Sequence, residues 1–261
     1  MKFENAMKGG SVVTNSAITS GQGLGIHVHS AAEIVLRGNL IADMYEHGIW
    51  VESGKNVEID NNWVMNVPSS AHPKVGVKMI EYALGFWGGI TASGDGVTGM
   101  VVTNNIVSGT WHHGYHFTPA KCDDTTPTYI FENNIAHSIS GYGAIAANVA
   151  NDCTEVKDFI AYKVTEASIM LGGPSRINRG RNLKAIDTRY GPAIFPSFGT
   201  SEIIDSISYS ELSDNQDCPP KSPCDHCVTR AGLIAPTGVN GGHKDREKKW
   251  KKLPLFKGGG S

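Results

Sequence analysis

The sequence lacks several features that define whole classes of protein. No apolar run approaches the 18 or so residues needed to cross a bilayer, so we expect no membrane span in this chain. Residues 1–5 do not form the apolar core of a signal peptide, which leaves either a cytosolic chain or an internal piece of a longer one. Charged residues are only 18% and the formal net charge is −2, which argues against a nucleic-acid partner held by bulk charge. Apolar residues at helical spacing are also missing, so helices are not expected.

Glycine is abundant, with 31 of 261 residues, and it marks an internal repeat. Each unit opens on a glycine in a short apolar segment, and the glycines follow one another after 23, 41, 25 and 29 residues. The long step contains an insertion near residues 66–87. An asparagine lies 14 to 20 residues after the glycine in four units, so the internal order of the unit is constant. The aligned glycines are Gly25, Gly48, Gly89, Gly114 and Gly143.

Apolar residues within each unit alternate with period two, which is typical of strands with one buried face. Units of this length cannot bury their own strands and must stack. The pattern therefore predicts an all-β protein, a right-handed single-stranded parallel β-helix of about seven coils over residues 1–210. We expect residues 211–261 to form an irregular cap rich in cysteine and proline, followed by a basic tail. The side chains expected to point inward are Ile26, Val28, Ile49, Val51, Ile90, Ala92, Tyr115 and Phe117.

The aligned asparagines are expected to be structural. Asparagine tolerates the left-handed backbone that a β-helix corner needs, and stacked amides can hydrogen-bond along the corner as a ladder. The glycines are expected to supply positive φ angles for the same reason. After the last asparagine, the alignment places Phe159 in the ladder position. The predicted ladder consists of Asn39, Asn62, Asn105 and Asn134.

The outward side of the first strand in each unit is the candidate binding surface. Strand alternation sends His27, Trp50 and His116 outward in one column, and His29 and Glu52 in the next. Aromatic faces and polar groups on a flat sheet suit an elongated polysaccharide. An ordinary surface, or a sheet covered by the insertion, is the competing interpretation.

A catalytic interpretation rests on a different group. Asp43, Glu46 and His47 would form an acid/base cluster if the chain cleaved glycans, with His116 as a further candidate. No compact set of three or four carboxylates recurs on neighbouring units. The sequence therefore favours a protein that is not an enzyme, and it gives no reason to expect a cofactor or a bound metal.

Two segments carry a family resemblance. Residues 131–138 (FENNIAHS) and 159–163 (FIAYK) resemble the β-helix repeats of the fibrocystin (polyductin) and fibrocystin-like proteins. A more distant likeness extends to the cell-surface hyaluronidases, the cell-migration-inducing hyaluronan-binding protein and transmembrane protein 2. The resemblance implies an extracellular or cell-surface module of a larger, membrane-anchored protein. Such a module would act as a scaffold or bind a polysaccharide or protein, the alternative being a glycan-active hydrolase or lyase.

The five cysteines are an odd number, so at least one is free or pairs outside the chain if the others are bridged. Cys122 and Cys153 occupy nearly equivalent positions on successive coils, and an extracellular location favours a disulfide between them. Two reduced cysteines stacked in a turn are the alternative. The pairing of Cys218, Cys224 and Cys227 stays open; His226 within their C-x2-C segment allows zinc, whereas the neighbouring prolines favour a disulfide-tied loop.

Overall fold

Strands are the only regular elements in the described part of the chain. The computed structural model describes residues 1–4, 10–67, 88–92, 99–117, 120–123, 126–127, 130–147, 152–172, 177–194 and 200–209. The strands are β1 (Lys2–Glu4), β2 (Ser11–Thr14), β3 (Ala17–Gly21), β4 (Ile26–His29), β5 (Ala31–Arg37), β6 (Leu40–Met44), β7 (Ile49–Val51), β8 (Gly54–Asp60), β9 (Trp63–Val67), β10 (Gly88–Ala92), β11 (Val101–Thr103), β12 (Ile106–Thr110), β13 (His113–Phe117), β14 (Ala120–Asp123), β15 (Thr126–Pro127), β16 (Ile130–Glu132), β17 (Ile135–Ile139), β18 (Tyr142–Ala147), β19 (Asp152–Lys157), β20 (Ile160–Gly172), β21 (Ile177–Arg181), β22 (Lys184–Ile194), β23 (Thr200–Ile204) and β24 (Ile207–Tyr209).

The strands form three parallel faces. In the regular coils each face takes every third strand of the chain, so that each strand pairs with the equivalent strand of the preceding coil. The first face runs β1, β4, β7, β10, β13 and β18, and continues into the later halves of β20 and β22. The second runs β2, β5, β8, β11, β16, β19, β21 and β23. The third runs β3, β6, β9, β12 and β17 into the earlier halves of β20 and β22, and ends at β24. This is a parallel β-helix, which confirms the predicted fold class.

The core lies between the three faces and is filled by the inward side chains of every coil. Ile26, Val28, Ile49 and Val51 are completely buried. Tyr115 is buried against Phe131 and Phe159, and its single hydroxyl proton lies between two backbone carbonyls, with the oxygen 2.8 Å from that of Asn105 and 3.0 Å from that of Ile135. The predicted alternation is confirmed wherever the side chain is described; that of Ala92 lies outside the described side chains.

The asparagine ladder forms as predicted. Nδ2 of Asn39 donates to Oδ1 of Asn62 at 2.9 Å, and the same bond joins Asn62 to Asn105 and Asn105 to Asn134 at 3.0 Å. Each Nδ2 also donates to a backbone carbonyl on the preceding coil, such as that of Leu36 for Asn62. All four side chains are buried, so the amides hold the corner by satisfying one another inside the core.

The left-handed backbone predicted for the ladder asparagines occurs one residue earlier, so that part of the prediction was wrong. Positive φ angles occur at the residue before each ladder position, as at Gly38, Asn61, Asn104 and Asn133. The left-handed residue turns the chain, and the ladder asparagine that follows directs its amide into the core. On three coils one asparagine supplies the bend and the next supplies the hydrogen bonds, while Gly38 supplies the bend before Asn39.

The aligned glycines also have a different role from the expected one. None of Gly25, Gly48, Gly89, Gly114 and Gly143 has a positive φ. A Cβ on Gly48 would lie 2.8 Å from the carbonyl oxygen of Gly89 and closer still to Val64 Cγ1. These glycines are required because the corner between the first and third faces has no room for a side chain.

The ladder changes chemistry toward the carboxyl end. Phe159 occupies the ladder position of the coil after Asn134, as predicted. It is buried, and Leu183 follows it in the next coil. Residues 68–87 of the predicted insertion and the whole predicted cap at 211–261 lie outside the described residues. The three cysteines of that cap therefore stay with their alternatives open.

Candidate functional site

The candidate site is the outward column of the first face. The register pairs Lys2 with His27, His27 with Trp50, and Trp50 with Thr91. It continues from Thr91 to His116 and from His116 to Ile145. The predicted column is thus correct in order and register.

His27, His29 and Glu52 meet at one end of this column. Nε2 of His27 and Nδ1 of His29 each lie 2.9 Å from the same carboxylate oxygen, Oε2 of Glu52. The two histidines project from one side of β4, while Glu52 follows β7 on the next coil and is held by its own N–H, which donates to the carbonyl of Val28. The side chains are 12%, 35% and 40% exposed, so solvent reaches the group. We call these three residues the His–Glu cluster.

Trp50 supports the His–Glu cluster from the side. Its ring stacks on His27 with centroids 4.5 Å apart and planes 6° apart, and it stacks on His47 at 5.4 Å. Trp50 is half-buried, whereas His47 is buried. Four of the predicted binding residues, His27, His29, Trp50 and Glu52, therefore form one continuous group, and His47 joins it from the edge.

His116 is not one of the three side chains of the His–Glu cluster, and the expectation of a solvent-facing His116 was wrong. It projects outward from β13 but is 2% exposed, and its ring centroid lies 6.5 Å from that of His113. Burial, followed by the nearby His113 and His47, lowers the pKa of His116 to about 3. Ile145 above it is also buried. A covered sheet describes this half of the column better than an open surface.

His113 is a buried residue beside the outward column, and the sequence pattern assigned it no place in the candidate site. Its ring lies 5.8 Å from His112 and 5.6 Å from Tyr142, and burial, with a smaller contribution from His112, lowers its pKa to about 4. Both His47 and His113 immediately precede an aligned glycine. That shared position was the available signal, because it places both rings beside the same column of the first face.

The proposed acid/base residues do not form a comparable cluster. Asp43 is exposed, and its carboxylate accepts a hydrogen bond from the amide of Asn66 on the next coil. Glu46 is half-buried at the corner, with its N–H donating to the carbonyl of Gly23. Among the described residues, the His–Glu cluster is the set of three potential metal-binding side chains whose ligand atoms all lie within 4.8 Å of one another. Neither Asp43, Glu46 and His47 nor His116 with the cluster residues makes such a set.

The predicted disulfide lies between strands that are neighbours. β14, which carries Cys122, pairs antiparallel with β19, and Ala120 lies opposite Cys153. Cys153 is completely buried. The side chain of Cys122 is outside the described side chains, so the pairing of Cys122 with Cys153 stays a prediction.

Comparison with known proteins agrees with this architecture. The family model for the right-handed β-helix region matches residues 6–169, more than half of the chain. The chain belongs to the right-handed β-helix family. Its β-helix is similar to mouse fibrocystin, with 24% identity over 78% of the chain, and to dog fibrocystin, with 27% identity over 73%.

The likeness to fibrocystin confirms the family resemblance drawn from the two short segments, and the chain is a fibrocystin-like β-helix region. It spans only 5% of mouse fibrocystin and 4% of dog fibrocystin. No solved structure matches it. The described residues include no helix long and apolar enough to cross a membrane.

Proposed function

We propose that this fibrocystin-like β-helix is a non-catalytic module of a larger cell-surface protein, in which the open half of the first face contacts an extracellular polysaccharide or protein. The observation that carries the proposal is the convergence of Trp50, His27, His29 and Glu52 into one half-exposed group on a flat parallel sheet. Ring edges offer apolar contact to sugars, and the carboxylate and imidazoles offer hydrogen bonds.

The extracellular location belongs to the same proposal. It is supported by the resemblance to fibrocystin-like proteins and by the adjacency of the strands that carry Cys122 and Cys153. Intact mass measured with and without reductant should differ by two hydrogens for this pair. Peptide mapping should then show residues 122 and 153 in one cross-linked fragment.

Two observations weigh against the glycan-cleaving alternative. The carboxylate of Asp43 is engaged by Asn66 rather than aimed at the histidines. His116 is buried with a pKa of about 3, so it is neutral near pH 7 and poorly suited to donate a proton there.

The test is a panel of immobilised glycosaminoglycans and pectins, scored for both retention of the chain and shortening of the polymer. Retention of the wild type that is lost in Trp50→Ala supports the proposal. Trp63→Ala is the matched control, because Trp63 is a half-exposed tryptophan on the third face. Polymer shortening that disappears in Glu46→Gln or His116→Ala would overturn the proposal in favour of an enzyme.

A further inference from the structure

The His–Glu cluster has the composition of a transition-metal site. Two imidazole nitrogens and one carboxylate oxygen are the donor set that zinc and other borderline divalent ions use in proteins. All three ligand atoms lie within 4.8 Å of one another, so they can face a single centre. We infer that His27, His29 and Glu52 bind a divalent transition-metal ion of the zinc class.

The distances favour insertion of an ion between the three side chains. Each nitrogen now lies 2.9 Å from Oε2 of Glu52. Ligand atoms around a tetrahedral zinc are about 3.3 Å apart, given bonds of about 2.0–2.1 Å. Each contact has to lengthen by only about 0.4 Å, which small χ rotations of the partly exposed His29 and Glu52 can provide.

The backbone places the three ligand residues next to one another before any ion binds. His27 and His29 are two residues apart on β4, so strand geometry places them on one side without further support. Glu52 is anchored to the same strand from the next coil by its N–H bond to Val28 at 2.9 Å. The site is thus held by the sheet register rather than by a loop, which lowers the entropic cost of binding.

Trp50 orients the ring of His27. The stack at 4.5 Å and 6° sets the plane of the imidazole and leaves Nε2 directed at Glu52. A supporting residue of this kind commonly changes metal affinity by about 10–100-fold when removed. Trp50→Ala is therefore expected to weaken the metal site while leaving all three ligands present.

A second carboxylate adjoins the His–Glu cluster. Glu4 pairs with His29 in the register of β1 and β4, and it forms an ion pair with Lys2 at 2.9 Å. It lies outside the set whose ligand atoms are mutually within 4.8 Å, so water is expected to complete the coordination. Its negative charge favours a cation nearby, and Glu4→Gln should weaken binding less than loss of a ligand.

The test is calorimetric titration of the full chain with ZnCl2 after EDTA treatment. His29→Ala and Glu52→Gln should each lose one zinc equivalent, or bind that equivalent at least about 100-fold more weakly. His137→Ala is the matched control, since His137 is a partly exposed histidine on the third face, stacked on Tyr162. Because other histidines and cysteines of the full chain can also bind zinc, the measured quantity is the difference in stoichiometry between wild type and variant.

Cobalt substitution identifies the ligands independently. The equivalent lost in Glu52→Gln should show d–d bands without a thiolate-to-cobalt charge-transfer band, because the site contains nitrogen and oxygen only. Melting in EDTA checks that both variants remain folded. Equal zinc binding by folded wild type, His29→Ala and Glu52→Gln would overturn the assignment and leave the cluster as a hydrogen-bonded network. The metal site uses side chains of the proposed polysaccharide contact, but its test is separate, since zinc binding is measured without any polymer.

Discussion

The asparagine ladder and the His–Glu cluster are products of the same repeat, but the ladder points into the core at the corner between the second and third faces, whereas the cluster lies on the outside of the first face. In the ladder, one residue type recurs on four coils, is completely enclosed, and finds a partner in the identical residue above it. In the cluster, different residue types stack on two coils, and their polar atoms remain open to solvent. Identical stacking inside therefore stabilises the helix, whereas varied stacking outside produces a local site.

The first prediction tests the stabilising role of the ladder by removing one of its amides. Asn62→Leu takes the acceptor from the N–H and Nδ2 of Asn39 and the donor from the carbonyl of Leu36. Each buried group left unsatisfied costs about 1–3 kcal/mol, so we expect unfolding free energy to fall by about 4 kcal/mol in a urea titration. Lys55→Ala, on an exposed position of β8, should change it by less than about 0.5 kcal/mol. Equal midpoints for the two variants would contradict a stabilising ladder.

A second prediction concerns the corner between the third and first faces. Gly48→Ala places a methyl group 2.8 Å from the carbonyl oxygen of Gly89 and against Val64, so we expect a loss of about 1–3 kcal/mol from overpacking. Gly23→Ala is the control, because a Cβ there meets nothing within 4 Å. Thermal unfolding should separate the two variants clearly. If both glycines tolerate alanine, the close approach of the two faces is not what requires glycine at residue 48.

The ladder and the glycine corner also show which features could be predicted from the sequence and which could not. Period-two alternation and the aligned glycines were sufficient for the fold, the core residues and the outward column, because stacking obliges equivalent residues to align. The roles of the aligned glycines were misassigned. A glycine needed for positive φ and one needed for space are identical in sequence, and they are distinguished only by the φ angle and the distance to neighbouring atoms in the structure. The burial of His116 was missed for a related reason, since strand alternation tells which way a side chain points but not what lies over it.

The convergence of the His–Glu cluster was partly predictable. Alternation placed His27 and His29 on one side, and the repeat length placed Glu52 on the next coil beside them. Which nitrogen meets which oxygen depends on side-chain rotamers, and the stacking of His47 on Trp50 depends on the path of the corner. Neither can be derived from residue order.

The third prediction compares the pH dependence contributed by a buried histidine of the outward column with that of a more exposed histidine on the third face. The pKa of His116 is lowered from 6.5 to about 3 by burial. Between these two pH values the residue is protonated in the unfolded chain and neutral in the folded chain. Stability therefore falls as pH drops below about 6.5, by about 1.4 kcal/mol per pH unit for this residue. His116→Gln should reduce the loss between pH 7 and 5 by about 2 kcal/mol, measured by urea unfolding at each pH. His137→Gln, on the more exposed third face, should reduce it less; equal effects would contradict the difference in burial.

The smallest effect on stability is expected where the effect on binding is largest. In EDTA, His29→Ala should lower the unfolding free energy by less than about 1 kcal/mol, since its bond to Glu52 is between side chains that are 35% and 40% exposed. Saturating zinc should then raise the melting temperature of the wild type but not of His29→Ala, because an ion that binds only the folded chain stabilises it by an amount that grows with the logarithm of the ion concentration divided by Kd. A loss in EDTA as large as that of Asn62→Leu would mean that the His–Glu cluster is a second structural ladder on the outside of the helix, and the distinction between enclosed and open stacking would no longer hold.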